Sequence, residues 1–214
     1  MNLLSKNNEL VLGIIGTGGF GRECLLLAKS LNKFDKIYFV EFDDFYEEKY
    51  VDDTLVLKLS DCDFTKMSFV VAVGNPNLRK KIISELPSNI KYTSLISKLS
   101  FFPKEVKKQE GLIVMPFCYL TSNVSLGKHV HINSHCTIGH DSNIGDYNTL
   151  ACSVMISGNT FTNELVYFGM NSCTKQGVKI AANSIIGLNS GVTKNLNESG
   201  VYIGTPAKIL TKKL

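Results

Sequence analysis

A six-residue period runs without interruption from residue 114 to residue 197, and it constrains the fold of this chain more than any other feature. Twelve of the fourteen residues that begin these hexads are apolar, and a small or β-branched residue usually follows four positions later. The hexads begin at Val114, Leu120, Leu126, Ile132, Ile138, Ile144, Leu150, Ile156, Thr162, Phe168, Thr174, Ile180, Ile186 and Val192. This period predicts a parallel β-helix, in which each hexad forms a short strand and a corner and the large apolar side chain fills the interior.

The first 97 residues follow a different pattern. Short apolar segments at 11–15, 36–40 and 68–73 read as strands, and helical patterns follow the first of them up to Leu31 and the last of them at 78–86. Alternating strands and helices predict a small parallel sheet with helices on its faces, which is a Rossmann-like half domain at 1–97. We expect the β-helix domain at 98–197, with 97–111 as the seam between the two, and a C-terminal cap or tail at 198–214.

Composition excludes several classes of partner. A net charge of +4 is too small to indicate a nucleic-acid-binding protein, and the closing pair Lys212 and Lys213 reads as a solvated tail. No apolar stretch approaches the roughly 18 residues that span a bilayer, so we expect no membrane insertion. The six cysteines form no C-x-x-C pair, which predicts reduced, buried thiols in a cytoplasmic protein.

A glycine motif between the first strand and the first helix predicts a nucleotide site. Its glycines, at positions 16, 18 and 21, allow a tight turn and a close backbone approach, and the helix N-terminus presents N–H groups to a phosphate. Glu41 lies 20 residues beyond Gly21, where a ribose-binding carboxylate is expected, and Asp43 follows it. The motif leaves open NAD or a nucleotide-sugar, and a nicotinamide-dependent oxidoreductase is one alternative function; the short chain favours the smaller ligand.

All four histidines fall within residues 129–140, which makes this segment a candidate catalytic site. With three hexads per coil, residues 18 apart stack about 4.8 Å apart, so Gly158 lies directly over His140. An imidazole base beside an unshielded backbone N–H suits acyl transfer, and Asp141 is placed to accept the Nδ1 proton of His140. For His129 and His131 we expect exposed corner positions without a function.

A metal site is the alternative interpretation of the histidines. The spacing of His135 and His140 resembles the paired zinc ligands of the gamma-class carbonic anhydrases, which are also β-helices. Catalytic zinc needs three protein ligands, and the third would lie two coils earlier, at position 99, which is Leu99. We therefore predict no metal.

Several motifs resemble one family along nearly the whole chain. It is similar to the bacterial sugar O-/N-acyltransferases of the sialic acid O-acetyltransferase type, close to the enzymes acting on nucleotide-linked 4-amino-4,6-dideoxy sugars. The motifs are the loop Gly16-Thr17-Gly18-Gly19-Phe20-Gly21, the segment Val71-Ala72-Val73-Gly74-Asn75-Pro76-Asn77-Leu78-Arg79-Lys80, Ile132-Asn133-Ser134, Ile138-Gly139-His140-Asp141, Gly169-Met170-Asn171-Ser172 and Gly204-Thr205-Pro206-Ala207-Lys208.

The resemblance implies a left-handed β-helix and a homotrimer, with acetyl-CoA bound between neighbouring subunits and no metal. It implies that His140 is the general base, that Asp141 orients it and that the Gly158 backbone holds the thioester carbonyl. Met170 and Leu188 are then expected along the CoA arm. The implied contacts to the nucleotide-sugar come from Gly16, Gly18, Gly19, Phe20, Gly21, Glu41, Asp43, Gly74, Asn75 and Asn133.

Two departures from the family pattern concern the substrate. Close relatives often carry His where this chain has Phe20, and the usual carboxylate of the dyad is Glu where this chain has Asp141. The sequence therefore predicts an acetyl-CoA-dependent N-acetyltransferase for a nucleotide-linked amino sugar, in surface glycan biosynthesis. O-acetylation of sialic acid or another sugar hydroxyl is the alternative within the class, and a trimeric scaffold without activity is the alternative outside it.

Overall fold

The structure, a computed structural model, describes residues 9–47 and 49–210, so Lys212 and Lys213 lie outside the described residues. Over this range the chain forms an α/β unit followed by a left-handed parallel β-helix, and the predicted fold class is confirmed. No helix of the described residues is both long and apolar enough to cross a membrane.

The α/β unit contains one five-stranded sheet with a helix after its first and last strands. Its elements are β1 (Val11–Ile15), α1 (Gly19–Leu31), β2 (Lys36–Glu41), β3 (Tyr50–Val51), β4 (Thr54–Lys58), β5 (Met67–Val71) and α2 (Pro76–Glu85), with 3₁₀ turns at Asp43–Phe45 and Leu59–Asp61. The strand order is β3-β4-β2-β1-β5, and all neighbours are parallel except the β3–β4 hairpin.

The β3–β4 hairpin was not predicted from the sequence. Its turn is formed by Asp52 and Asp53, both of which have positive φ angles of 46° and 56°. Aspartate adopts this conformation more readily than most residues, but the flanking strand β3 has only two residues and gives no alternating pattern to detect. The other predicted strands and both helices are present within a few residues of their predicted bounds.

The β-helix is built from short strands, which from residue 113 to residue 192 have two residues each and recur every six residues. They are β6 (Leu95–Ile96), β7 (Lys107–Lys108), β8 (Ile113–Val114), β9 (Tyr119–Leu120), β10 (Ser125–Leu126), β11 (His131–Ile132), β12 (Thr137–Ile138), β13 (Asn143–Ile144), β14 (Thr149–Leu150), β15 (Met155–Ile156), β16 (Phe161–Thr162), β17 (Tyr167–Phe168), β18 (Cys173–Thr174), β19 (Lys179–Ile180), β20 (Ile185–Ile186), β21 (Gly191–Val192), β22 (Val201–Ile203) and β23 (Lys208–Ile209). The coil begins at Leu95, so residues 97–111, predicted as a seam, form its first turn.

Three sheets form the faces of a triangular prism, because strands 18 residues apart pair in parallel. We name each sheet by what its outer face carries, which is the α/β unit, mainly apolar side chains or mainly polar side chains. The covered sheet (β6, β8, β11, β14, β17, β20, β22 and β23) packs against the α/β unit, the apolar sheet is β9, β12, β15, β18 and β21, and the polar sheet is β7, β10, β13, β16 and β19. Each coil runs from the covered sheet to the apolar sheet and then to the polar sheet.

The interior of the prism is filled by the second residue of each strand from β8 to β21, as the hexad pattern predicts. These side chains form one continuous apolar cluster along the axis. The two polar starters, Thr162 and Thr174, are buried as well, and their hydroxyl oxygens accept hydrogen bonds from the amides of Gly145 and Ser157 at 3.0 Å each. A buried threonine is tolerated here because its hydroxyl is paired within the coil.

Each corner of the prism contains one residue in the left-handed conformation. From residue 111 to residue 189 every sixth residue has a positive φ angle. Asparagine, which favours this conformation, occupies some of these positions, but Phe117, Tyr147 and Leu165 adopt it too. The coil therefore imposes the left-handed conformation on residues that intrinsically disfavour it.

The α/β unit buries the outer face of the covered sheet from β6 to β14, and it shares an apolar core with the first of these strands. Leu25 and Ala28 of α1 pack in one cluster with Leu95, Ile113 and Met115 of the first coils. Two expectations from the sequence are wrong, and this packing explains the first of them. His129 and His131 are buried beneath the α/β unit rather than exposed, while Cys152 and Cys173, expected to be buried, are exposed free thiols.

The last described segment closes the upper end of the prism. Strand β22 continues the covered sheet, β23 returns antiparallel to it, and Tyr202 packs its buried side chain against the prism interior.

The coil interior generates a first prediction. Ile144→Ala removes a fully buried side chain, whereas Asn143→Ala changes the exposed neighbour on the same strand. We expect the first change to lower the free energy of unfolding by about 2–5 kcal/mol, because it leaves a cavity, and the second to change it by at most about 0.5 kcal/mol. Chemical denaturation of both variants measures this; equal effects would contradict the assignment of the interior.

Candidate active site

His140 and Asp141 form a hydrogen-bonded pair at the corner between the apolar and polar sheets. The Nδ1 atom of His140 lies 2.8 Å from the Oδ2 atom of Asp141, and both side chains are about half exposed. Asp141 is the left-handed residue of its corner, with φ of 58°, and this turn brings its carboxylate back beside the preceding imidazole. The predicted pair is present, and its geometry is set by the corner.

Asn123 holds the second oxygen of the Asp141 carboxylate. It lies one coil below, 18 residues earlier, and its Nδ2 atom donates to Oδ1 of Asp141 at 2.8 Å. The hydrogen bond from Asn123, followed by that with His140, lowers the pKa of Asp141. An ionised carboxylate accepts the Nδ1 proton, so the neutral imidazole keeps a free lone pair on Nε2. Asn123 was not predicted from the sequence, although the 18-residue stacking that places Gly158 over His140 also places Asn123 under Asp141.

Gly158 lies over the reactive side of the His140 ring, one coil above. A Cβ atom at this position would be 2.6 Å from Nε2 of His140, so only glycine leaves the imidazole in place. Within the described residues the Gly158 N–H donates no hydrogen bond. A base and an unused backbone donor on one side of a corner are what proton removal and oxyanion stabilisation require.

Met170 and Leu188 form an exposed apolar column at a different corner, between the covered and apolar sheets. They occupy the same hexad position in successive coils and are 57% and 66% exposed, and Cys152 occupies this position one coil below. The apolar sheet separates this column from His140 within one chain. Its outward residues Tyr119 and Met155 are also at least half exposed.

The glycine loop lines a cleft of about 390 Å³ at the carboxyl ends of β1 and β5. The predicted residues that line it are Gly16, Gly18, Gly19, Phe20, Glu41 and Gly74. Gly21 lies behind the loop, where a Cβ atom would collide with the Gly16 carbonyl oxygen, so this glycine is required by the close approach of the two ends of the loop.

Glu41 braces the glycine loop from the end of β2. Its Oε1 atom accepts hydrogen bonds from the Thr17 amide at 2.9 Å and from the Thr17 hydroxyl at 2.7 Å. Glu41 and Thr17 also line an adjoining cleft of about 520 Å³, whose other walls include Phe45 and Tyr50 of the unpredicted segment between β2 and β4. The two clefts therefore share the Glu41–Thr17 contact as a common wall.

Phe20 contacts the covered sheet at the point where many relatives were expected to carry histidine. Its ring lies 5.2 Å from the His131 ring, centroid to centroid, with a tilt of 38°. Burial lowers the pKa of His131 well below its usual value, so this imidazole is neutral. Phe20 thus attaches the glycine loop to the β-helix through aromatic packing.

Three predicted substrate contacts lie outside the glycine-loop cleft. Asp43 accepts a hydrogen bond from the Ser60 amide at 3.2 Å and lines a separate depression. Asn75 caps α2 by accepting from the Leu78 amide at 3.0 Å. Asn133 donates to the Leu150 carbonyl at 2.9 Å and lines a groove near Cys152.

The glycine loop and His140 lie on opposite sides of one chain. The loop contacts the covered sheet through Phe20, whereas His140 projects from the edge where the apolar and polar sheets meet, opposite the covered sheet. A single copy therefore does not bring the two predicted halves of the site together. Among the described residues no group of three or more His, Cys, Asp or Glu side chains is arranged to hold a metal ion.

Comparisons with known proteins agree with this architecture. Residues 11–86 match the PglD N-terminal domain family. The chain is 28% identical over 178 residues to the GDP-perosamine N-acetyltransferase of Escherichia coli O157:H7, covering 78% of each chain.

Two solved structures superimpose along nearly the whole chain. WeeI from Acinetobacter baumannii AYE is 28% identical, with a TM-score of 0.86 over 94% of this chain and 100% of the other. PerB from Caulobacter crescentus, in complex with CoA and GDP-perosamine, is 23% identical, with a TM-score of 0.85 over 94% and 97% of the two chains. The chain belongs to the hexapeptide-repeat sugar acyltransferases, close to the amino-sugar N-acetyltransferases, and is an acyltransferase.

Proposed function

We propose that this protein transfers acetyl from acetyl-CoA to the amino group of a nucleotide-linked amino sugar of the 4-amino-4,6-dideoxyhexose type, in surface glycan biosynthesis. The observation that carries the proposal is the His140–Asp141 pair with Gly158 stacked on Nε2. The similarity to a GDP-perosamine N-acetyltransferase and to a structure that contains CoA and GDP-perosamine supports an amino-sugar acceptor.

His140 acts as the general base in this proposal. As the sugar amine attacks the thioester carbonyl carbon, Nε2 takes a proton from the amine, and the carbonyl oxygen becomes an oxyanion that accepts a hydrogen bond from the Gly158 N–H. Collapse of this intermediate breaks the carbon–sulfur bond, and the imidazolium returns its proton to the CoA thiolate. The products are the amide and free CoA.

Asp141 and Asn123 prepare the imidazole for this role. The ionised carboxylate fixes the proton of the neutral ring on Nδ1, which leaves Nε2 free to accept the proton of the amine. It also stabilises the imidazolium that forms in the transition state. General base catalysis contributes about 10²–10⁴-fold to a rate, and a single oxyanion donor about 10²–10³-fold.

The active site is completed by a second copy of the chain. Within one copy the nucleotide cleft and His140 face opposite directions, so a sugar held by the glycine loop reaches the His140 of a neighbour. We place the neighbour against the apolar sheet, because the large outward side chains of Tyr119 and Met155 are at least half exposed there. A homotrimer provides this arrangement three times, by cyclic symmetry.

The acetyl-CoA arm lies along the Met170–Leu188 column of the corner beside the apolar sheet. The column is apolar and exposed, and it borders the surface that meets the neighbour. The pantetheine chain is an extended, largely apolar strand with amide groups, and a groove between two copies of the prism matches this shape.

A thiol-release assay tests the proposed reaction. Purified protein is incubated with acetyl-CoA and a panel of UDP-, dTDP- and GDP-linked 4-amino sugars, with CMP-sialic acid beside them. We expect free CoA to appear with an amino sugar, because the base is placed to deprotonate an attacking amine. Release with the sialic acid alone would instead establish O-acetylation. If no sugar in the panel releases CoA and a fluorescence titration shows that NADH binds, the result would support an oxidoreductase.

Substitutions of the dyad test the roles of its members. His140→Ala should lower kcat by about 10²–10⁴-fold with nearly unchanged CoA binding, because the base acts only in the transition state. Asp141→Asn should also lower kcat, since an amide facing Nδ1 favours the wrong tautomer. His135→Ala, at an exposed histidine of another corner, is the matched control and should retain activity. Loss of CoA affinity in folded His140→Ala protein would make His140 a ligand contact instead.

Mixing two inactive variants tests the shared site. Gly18→Tyr fills the nucleotide cleft without collision, because a Cβ atom at Gly18 has no neighbour within 4 Å and its φ of −65° suits any residue. Refolding Gly18→Tyr chains with His140→Ala chains should restore about a quarter of the sites, those with an intact loop from one copy and an intact His140 from the next. Mixtures without activity would place both halves of the site in one chain.

A further inference from the structure

Arg79 is the largest fully buried side chain outside the apolar clusters, and it joins the two parts of the molecule. It lies on α2 and is 0% exposed. Its Nη1 atom donates to the carbonyl oxygens of Val73 at 2.6 Å and Gly74 at 3.3 Å. Its Nη2 atom donates to the β-helix, to the carbonyl oxygens of Tyr147 at 2.5 Å and Asn148 at 3.2 Å and to the Thr149 hydroxyl at 3.0 Å.

This guanidinium has no carboxylate partner among the described residues, whose ion pairs all involve other side chains. Burial lowers the pKa of Arg79 to about 9, which reflects the cost of removing a cation from water. The neighbouring histidines do not add a positive charge to this cost. Burial lowers the pKa of His129 to about 4 and holds that of His131 well below its usual value, so neither carries a charge beside Arg79. A cation held at this cost by oxygen dipoles alone points to a role besides stability.

The atoms that Arg79 holds in the α/β unit belong to the wall of the nucleotide cleft. Val73 and Gly74 line the cleft opposite the glycine loop. The Gly74 carbonyl oxygen accepts a second hydrogen bond, from the Thr149 hydroxyl of the covered sheet at 2.8 Å. The position of this wall relative to the β-helix is therefore fixed by one network of directed hydrogen bonds.

We propose that Arg79 is a positioning residue, which fixes the Val73–Gly74 wall against the covered sheet and thereby places the bound nucleotide-sugar relative to the catalytic corner. This rests on the proposed function, in which the cleft binds the nucleotide part of the acceptor. The planar fork of arginine donates to both sides at once, whereas the ammonium group of lysine is a compact point charge that cannot span them.

A kinetic comparison with one matched control tests this role. Arg79→Lys keeps the charge and loses the fork, and Thr149→Val removes only the hydroxyl that joins Arg79 to Gly74. Lys80→Met removes the neighbouring contact between α2 and the β-helix, the exposed ion pair of Lys80 with Glu164 at 2.7 Å, and serves as control. Exposed ion pairs contribute little to stability, so the control should behave as the wild type.

We expect Arg79→Lys to raise KM for the nucleotide-sugar by about tenfold or more, with KM for acetyl-CoA within about twofold of the wild type. Misplacing a substrate by as little as 1 Å can cost about 10²-fold, while the CoA column lies on another corner. Thr149→Val should move the same KM in the same direction by a smaller factor. If the Arg79→Lys variant does not fold, the Thr149→Val variant alone tests the proposal.

Binding measurements separate this inference from the proposed function. Calorimetric titration with UDP, GDP, dTDP and CoA measures binding and does not require acetyl transfer. If the wild type binds a nucleoside diphosphate and CoA but acetylates no sugar, only the proposed acceptor is contradicted. Weaker diphosphate binding in Arg79→Lys and Thr149→Val, with unchanged CoA binding, supports the positioning role. Folded variants that bind both ligands as the wild type does, or that lose both affinities equally, overturn it.

Discussion

The stacking of residues 18 apart is the constraint on which the rest of the structure depends. Each coil repeats the previous one closely enough that side chains in one column meet at a fixed spacing. This places Gly158 over His140, and Asn123 under Asp141, without any loop dedicated to the site. The corner that holds His140 is therefore fixed by the hydrogen-bonded sheets on both sides of it.

The α/β unit covers one face of the prism and carries the cleft that is predicted to bind the nucleotide. The α/β unit buries the covered sheet through apolar packing and through the Arg79 network, which takes a cation out of water. The nucleotide cleft opens beside that face, while His140 points away from it. In the proposed function, each chain contributes its cleft to one active site and its His140 to another, so assembly and catalysis depend on the same geometry.

The sequence predicts the parts of this structure that repeat. The hexad period gave the strands and the interior, and the 18-residue stacking gave the His140–Gly158 contact, because both depend only on position along the coil. The prediction that His129 and His131 are exposed was wrong, because their burial depends on which face of the prism the α/β unit covers. Arg79 was not singled out, although it lies in a motif used for the resemblance, because the carbonyl groups that it binds in the β-helix are 68 and 69 residues away. No local pattern encodes such a contact.

The regular left-handed corners also limit how this molecule can change in length. Every sixth residue from 111 to 189 turns a corner, so inserting one residue would rotate all later side chains by one position and exchange interior for surface. Adding or removing one hexad would avoid this exchange but would move all later side chains to the next face of the prism, so only a whole coil of three hexads preserves both the interior and the faces. The direction in which His140 points is therefore fixed, and its height along the prism axis can differ between homologous proteins only in steps of about 4.8 Å.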